Sequence, residues 1–252
     1  LPARIQIRKY LDDFQPDIVH GFGTASAYGT MAIEQSCPGV VSIQGIQSLL
    51  APYHDRFNKI EKLIRRHLEK KVVTYAAGVV AETSFALNWV KSVTPFTQVA
   101  NIPHAVNPEF LQIESDYENL VCLVIGTLNR TKSFETAIRA IAYMKSTGIK
   151  LEFIGNGPRL EYLMRLTAEL NVQDRVTFTG FLPRNRIIEK MKHARMLAIV
   201  SKMDTSPNVL TEAHAAGLPV IGTKAGGIPD MIYDEEDGYL VDVDDYEALA
   251  ER

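Results

Sequence analysis

Cysteine is scarce in this sequence. Its 252 residues contain two, Cys37 and Cys122. That is too few for a disulfide framework, it lacks the paired spacing of a zinc site, and it suits a reducing compartment. Long apolar runs are also missing, and none approaches the ~20 residues needed to span a bilayer. Charge of one sign is not in excess: 27 lysines and arginines stand against 30 acids, for a net charge of −3. That balance gives no reason to expect nucleic acid as a partner. The patterns H-E-x-x-H, G-x-S-x-G and G-x-x-x-x-G-K-[ST] are absent, as is any Cys/His cluster. No metal site and no resident cofactor are expected. Solenoid-length repeats and low-complexity segments are missing as well.

What remains is ordinary globular material, 46% hydrophobic and 23% charged, long enough for two mid-sized domains or one large one. Strand-like runs at 17–20, 40–44, 78–82 and 97–102 alternate with helical patterns at 3–14, 26–34, 57–72 and 83–91. A long loop is expected at 45–55. The stretch 107–118, with proline, acidic residues and little period, is the candidate linker. Strands then follow at 120–125, 150–155, 175–179, 196–201, 219–223 and 238–241. Helices are expected at 134–146, 158–170, 185–194 and 208–216. Such alternation implies α/β architecture, with parallel sheets covered on both faces and joined by right-handed crossovers. We expect two Rossmann-like, doubly wound domains facing a cleft, at 1–110 and 111–252. The first opens on a helix with no strand before it, so the chain reads as a fragment whose N-terminal domain is truncated.

Ser201 to Asp230 is the most informative stretch. Ser206 is placed to act as N-cap, and Pro207 is preset for a first helical turn. Asn208 to Ala216 then reads as a helix with Val209, Leu210 and Ala213 facing the core, stopped by Gly217 and Pro219. Asp204 precedes the cap, and Glu212 lies one turn above Asn208. Both carboxylates can reach a crevice at the carboxyl edge of the sheet, or they can simply complement the helix dipole. Lys132 and Arg130 lie in the loop Gly126 to Ser133, beside a helix start where a phosphate can bind. The alternative is that they are solvated loop cations. Gly155-Asn156-Gly157-Pro158 permits close backbone approach of a ligand, or is only a tight strand–helix turn. His20 and Gln44 end the first two strands, where they face the cleft or are satisfied within the fold. Asp244-Asp245 reads as helix capping.

Taken together these motifs resemble the retaining, GT-B-fold glycosyltransferases of the "group 1" type, in particular the bacterial capsule and exopolysaccharide branch. D-T-S-P-N-V-L-T-E-A-H-A-A-G-L-P-V followed by A-G-G-I-P-D looks like that family's donor-binding segment, and G-T-L-N-R-T-K looks like its phosphate loop. F-I-G-N-G-P, D-R-V-T-F-T-G-F-L-P and N-I-P-H-A-V-N-P stand at the usual distances, and P-D-I-V-H-G-F-G-T with V-V-S-I-Q-G-I matches more loosely.

The resemblance implies transfer of a sugar from a nucleotide diphosphate to an acceptor hydroxyl, with retention and without metal. It implies that Glu212 holds the ribose hydroxyls, Asp204 contacts the donor sugar and Lys132 binds the pyrophosphate. Ser206, Pro207, Asn208, Val209 and Leu210 would contribute backbone, and Gly155 would line the nucleotide pocket. Asp204 stands where Glu is usual, Thr127 where Arg is usual, Gln44 where many members have His, and Asn107 replaces a common Asp. Competing expectations are a nucleotide-sugar 2-epimerase of similar form and a non-catalytic nucleotide-sugar-binding protein. The expected partners are a nucleotide-sugar donor and a glycan or lipid-linked acceptor. The expected location is the cytoplasm, at the inner face of the membrane if the basic side of helix 57–72 (Lys59, Lys62, Arg65, Arg66, Lys70, Lys71) touches anionic lipid.

Overall fold

The computed structural model describes residues 2–53, 58–117, 119–144 and 148–252. Backbone contacts divide the chain into two compact units, Leu1–Pro103 and His104–Arg252.

In the first unit the elements are α1 (Pro2–Phe14), β1 (Val19–Phe22), α2 (Ala27–Ala32), β2 (Gly39–Ser42), α3 (Gln47–Leu50), α4 (Lys59–Tyr75), β3 (Gly78–Ala81), α5 (Ser84–Val93) and β4 (Val99–Asn101). The four strands are parallel, in the order β1-β2-β3-β4. Val41, Ile43, Val72, Val73, Val79 and Val90 form its core. Local sequence starts its helices. Ser26 accepts from the Gly29 amide, Asn58 and Glu61 make a capping box, and Thr83 accepts from Ala86.

Three expectations for this unit need correction. The run 45–55 is not a loop, because it carries α3 and a 3-10 turn at Ala51–Tyr53. The cause is remote: buried Glu69, on α4, accepts from the amides of Gln47 at 2.7 Å and Ser48 at 3.0 Å, satisfying the first turn of α3. His20 does not end its strand, which continues to Phe22, and Gln44 lies beyond β2, which stops at Ser42. The expected start of helix 57–72 at Phe57, the end of the 45–55 run at Asp55, the end of the linker at Glu118 and the end of helix 134–146 at Ser146 lie outside the described residues.

The second unit comprises β5 (Val121–Ile125), α6 (Phe134–Tyr143), β6 (Lys150–Ile154), α7 (Leu160–Glu169), β7 (Val176–Gly180), α8 (Arg184–His193), β8 (Met196–Ile199), α9 (Asn208–Ala215), β9 (Val220–Thr223), β10 (Gly238–Val241) and α10 (Tyr246–Glu251). Its six parallel strands run β10-β9-β8-β5-β6-β7. Strand pleating sends alternate residues of β5 to opposite faces. Cys122 and Val124 pack in one apolar cluster with Phe134, Ile138 and Phe153, and Leu123 packs in the other with Leu197, Leu210 and Val220.

The stretch expected as a linker belongs to this unit. Phe110 is buried in its core, Ser115 donates to the Ala216 carbonyl at 2.9 Å, and Tyr117 donates to that of Gly217 at 2.6 Å. The division therefore falls between Pro103 and His104, before the expected 110/111 boundary.

Candidate active site

The second sheet has a topological switch point. The chain lays down β5, β6 and β7 in one direction, then returns to place β8 on the other side of β5. Loops leaving β5 and β8 at their carboxyl ends diverge there, which opens the crevice where doubly wound sheets bind ligands. Lys132 comes from the first of these loops and Asp204 from the second. The structure joins them in an ion pair, Lys132 Nζ to Asp204 Oδ2, with side chains 26% and 16% exposed.

Each partner is held from behind. The loop after β5 is clamped to the loop after β6. The Gly126 amide donates to Ile154 O at 3.0 Å, and the Leu128 amide donates to Asn156 O at 3.1 Å. A Cβ on Gly155 would lie 2.0 Å from the Gly126 carbonyl oxygen, and one on Gly157 would lie 2.4 Å from that of Leu128. Gly155 also has φ of +137°. These two positions require glycine because another backbone occupies the Cβ space. Asn129 Oδ1 accepts from the Lys132 amide at 3.0 Å. On the other side, the Asp204 carbonyl accepts from the Gly227 amide at 2.8 Å, and a Cβ on Gly226 would come within 2.0 Å of it. The A-G-G-I-P-D turn after β9 thus supports the backbone that carries Asp204.

The helix after Asp204 begins at Asn208 as expected, but its cap is one residue later than expected. Pro207 is extended, with φ −71° and ψ 110°, and occupies the cap position; its carbonyl accepts from the Leu210 amide at 3.0 Å. Ser206 is therefore not the N-cap, and its hydroxyl instead faces Met231 Sδ at 4.0 Å. Asn208 is exposed, Val209 half-buried, and the Leu210 side chain lies in the core. Gly217, with φ of +69°, ends the helix as its position implied. The Glu212 side chain is half-buried and has no hydrogen-bond partner among the described residues. Burial pushes its carboxyl above the ordinary value, and the charge of Arg184, at the start of α8, pulls it partly back. A dehydrated carboxylate without a donor suits a ligand that brings hydroxyls. Arg130 is exposed on the loop surface.

His20 and Gln44 belong to the first unit and are engaged there. His20 Nε2 lies 2.8 Å from Ser42 Oγ and its ring stacks on Phe22; Gln44 Nε2 donates to Glu82 Oε1 at 3.2 Å. Sequence reasoning missed Glu69, Arg184 and Lys202, none of which carries a local signal. It read Asp244 and Asp245 alike, and they differ. Asp245 caps α10 by accepting from the Ala248 amide at 2.9 Å, whereas Asp244 bonds to Ser133, Thr136 and Lys202. Among the described residues, no group of three His, Cys, Asp or Glu side chains is arranged to hold a metal ion.

Two parallel sheets of this kind, one with a charged pair set over a switch point, define a doubly wound α/β protein, and comparison with known proteins narrows the class. A sequence model of the family described as "Glycosyl transferases group 1" matches residues 108–252, and the chain belongs to that family. It is 26% identical over 171 residues to the lipopolysaccharide core biosynthesis glycosyltransferase LpsE of Rhizobium meliloti, covering 68% of this chain and 49% of that protein. Curated relatives of this kind are matched over less than half their length. Among solved structures, a sucrose-phosphate synthase from Thermosynechococcus elongatus superposes with a TM-score of 0.82 at 20% identity, covering 99% of this chain and 66% of that one. Anabaena HepE in complex with UDP gives 0.77 at 18%, covering 99% and 71%. At these identities the structures speak for the fold.

Proposed function

We propose that this protein transfers a sugar from a nucleotide diphosphate to an acceptor hydroxyl, with retention at the anomeric carbon, in the synthesis of a polysaccharide or glycoconjugate. The observation that carries this reading is the Lys132–Asp204 pair across the switch point, held by glycine turns that let the supporting loops pack backbone to backbone. Support for a nucleotide donor comes from the neighbour crystallised with UDP, and for a glycan acceptor from the relative named for lipopolysaccharide core synthesis.

In this mechanism Lys132 exchanges Asp204 for the donor's diphosphate. The acceptor oxygen attacks the anomeric carbon on the face the diphosphate leaves, the carbon–oxygen bond to the phosphate breaks, and the acceptor's proton passes to the departing phosphate oxygen. Charge building on the diphosphate is met by Lys132 and nearby backbone amides already in place, which is catalysis by electrostatic preorganisation. Asp204, released, accepts from a hydroxyl of the donor sugar, and Glu212 accepts from the ribose. No metal or cofactor has a step.

A panel of nucleotide sugars screened by thermal shift, followed by transfer to a hydroxyl acceptor with NMR of the product anomer, tests the reading. Stabilisation by a donor and a product of unchanged anomeric configuration are expected. An inverted product overturns retention, and release of a 2-epimerised free sugar without acceptor overturns transfer.

We also place the protein in the cytoplasm, in contact with the anionic inner face of the membrane. No helix of the described residues is long and apolar enough to cross a membrane. Helix α4 nevertheless exposes Ile60, Leu63 and Ile64 at i, i+3, i+4 spacing beside Lys59, Arg66 and Lys70, the pattern of a helix lying in an interface. Sedimentation with phosphatidylglycerol vesicles, but not with neutral ones, is expected. Failure to sediment with either removes this part of the proposal.

A further inference from the structure

Two left-handed, non-glycine residues touch each other although 111 positions separate them in sequence. Ser133 has φ of +46° and Asp244 has φ of +63°. Ser133 Oγ donates to Asp244 Oδ1 at 2.9 Å. Glycine adopts that backbone without a Cβ penalty, so a side chain kept at both positions points to use of the side chains themselves. Ser133 is fully buried and directly follows Lys132.

The contact is one link of a ring. Asp244 Oδ1 also accepts from the Thr136 hydroxyl at 3.3 Å, and Oδ2 accepts from Lys202 Nζ at 2.5 Å. The Lys202 amide in turn donates to Thr131 O at 2.7 Å. Loops leaving β5, β8 and β10 are thereby closed on one another. The residue before Lys132 is held by its carbonyl, and the residue after it by its side chain. Ser133 opens α6 but makes no side-chain cap bond to it, because its left-handed backbone is not the extended conformation of a capping residue. Burial alone would push the Asp244 carboxyl up, yet the hydrogen bonds from Lys202 and Ser133, the Lys202 charge and the Thr136 bond together bring it below its ordinary value. The ring is therefore made with the carboxylate form.

We propose that Asp244 is a positioning residue for Lys132. It fixes the backbone on both sides of that lysine, so that the ammonium meets Asp204, and then a diphosphate, without a search. The consequence for ligand binding rests on the functional reading above; the ring itself does not.

The test compares wild type with Asp244→Gly, Asp244→Asn and the double variant Ser133→Gly/Asp244→Gly, by hydrogen exchange and by calorimetry with UDP as probe. Asp244→Gly is expected to speed exchange in peptides spanning 127–136 and to weaken UDP binding by roughly ten-fold through misplacement of Lys132, with β6 and β7 unchanged. Asp244→Asn, which keeps an acceptor for Ser133, should recover much of both. The double variant should melt no lower than wild type, since both strained residues become glycine, yet keep the fast-exchanging loop. Unchanged exchange at 127–136 in Asp244→Gly overturns the proposal, as does a loosened loop with wild-type UDP affinity. If wild type itself binds no UDP, the functional reading is what fails, and the exchange data alone decide for or against the positioning role.

Discussion

In the first unit the chain adds strands in the order it makes them, β1-β2-β3-β4; in the second it builds outward to β7 and then starts again on the far side of β5. Among the described residues the sequential sheet has no point at which neighbouring strand-end loops diverge, and several of the polar side chains at its strand ends are engaged within the unit. His20 meets Ser42, Gln44 meets Glu82, and Glu69 is filled by two amides and the Thr24 hydroxyl. The reversing sheet separates its loops at β5 and β8, and among the described residues there the Lys132 and Asp204 side chains pair with each other while the Glu212 carboxylate is left without a donor. One strand topology therefore produces self-sufficient loops and the other produces loops poised for a ligand. Substitutions should divide along that line, with binding and turnover lost in the second unit and stability lost in the first.

The largest effect is expected at Lys132. Lys132→Ala should lower turnover roughly 10²- to 10³-fold, the scale of removing one preorganised partner of a developing charge. The melting temperature should change little, because the pair is partly exposed and contributes little to stability. Wild-type turnover in that variant would erase the contrast between the units.

Next comes Glu69→Ala, the mirror-image case. It strands the Gln47 and Ser48 amides and the Thr24 hydroxyl, and should destabilise the first unit by about 2–4 kcal/mol. Urea unfolding followed by hydrogen exchange on α3 measures this. Nucleotide affinity should be unaffected, and a parallel loss of affinity would show the division by unit to be false.

Glu212→Gln sharpens the comparison by moving two quantities in opposite directions. Nucleotide binding should weaken roughly ten-fold with loss of a charged acceptor, whereas stability at neutral pH should rise. The sign follows from the raised folded-state value. Between the ordinary carboxylate value and that raised one, the folded state holds more protons than the unfolded, so stability falls as pH rises through the window. Above it the full cost of a dehydrated charge persists. Glutamine abolishes this slope, and the gain should vanish below the window. Melting curves across pH for both forms check it, and parallel curves would refute the burial argument.

The smallest effect is assigned to His20. His20→Ala removes one hydrogen bond from an exposed ring and should shift nucleotide affinity by less than about two-fold. A large loss by calorimetry would place His20 among the donor contacts and break the comparison from the other side.

Much of the architecture was readable without coordinates, since strands and helices leave periods of 2 and 3.6 in the order of apolar residues. The strand expected at 238–241 is β10 to the residue, helix 208–216 differs from α9 only at its last position, and Asp245 does cap α10. Edges defined by geometry went astray. Ser206 yielded the cap to Pro207 because an extended proline carbonyl was already placed to accept from Leu210. The 107–118 segment looked like a linker because Phe110, the one buried residue among those described there, leaves no period to read.

By itself, then, the sequence determined the strands, most of the helices and where the glycine turns must fall, because these depend on residues a few positions apart. Only the tertiary structure decided which side chains meet. Lys132 finds Asp204 because β8 returns to the side of β5, Glu69 makes a helix of an apparent loop from 22 residues away, and Asp244 reaches back 111 residues to Ser133. Strand order sets those encounters, and strand order is a property of the whole sheet.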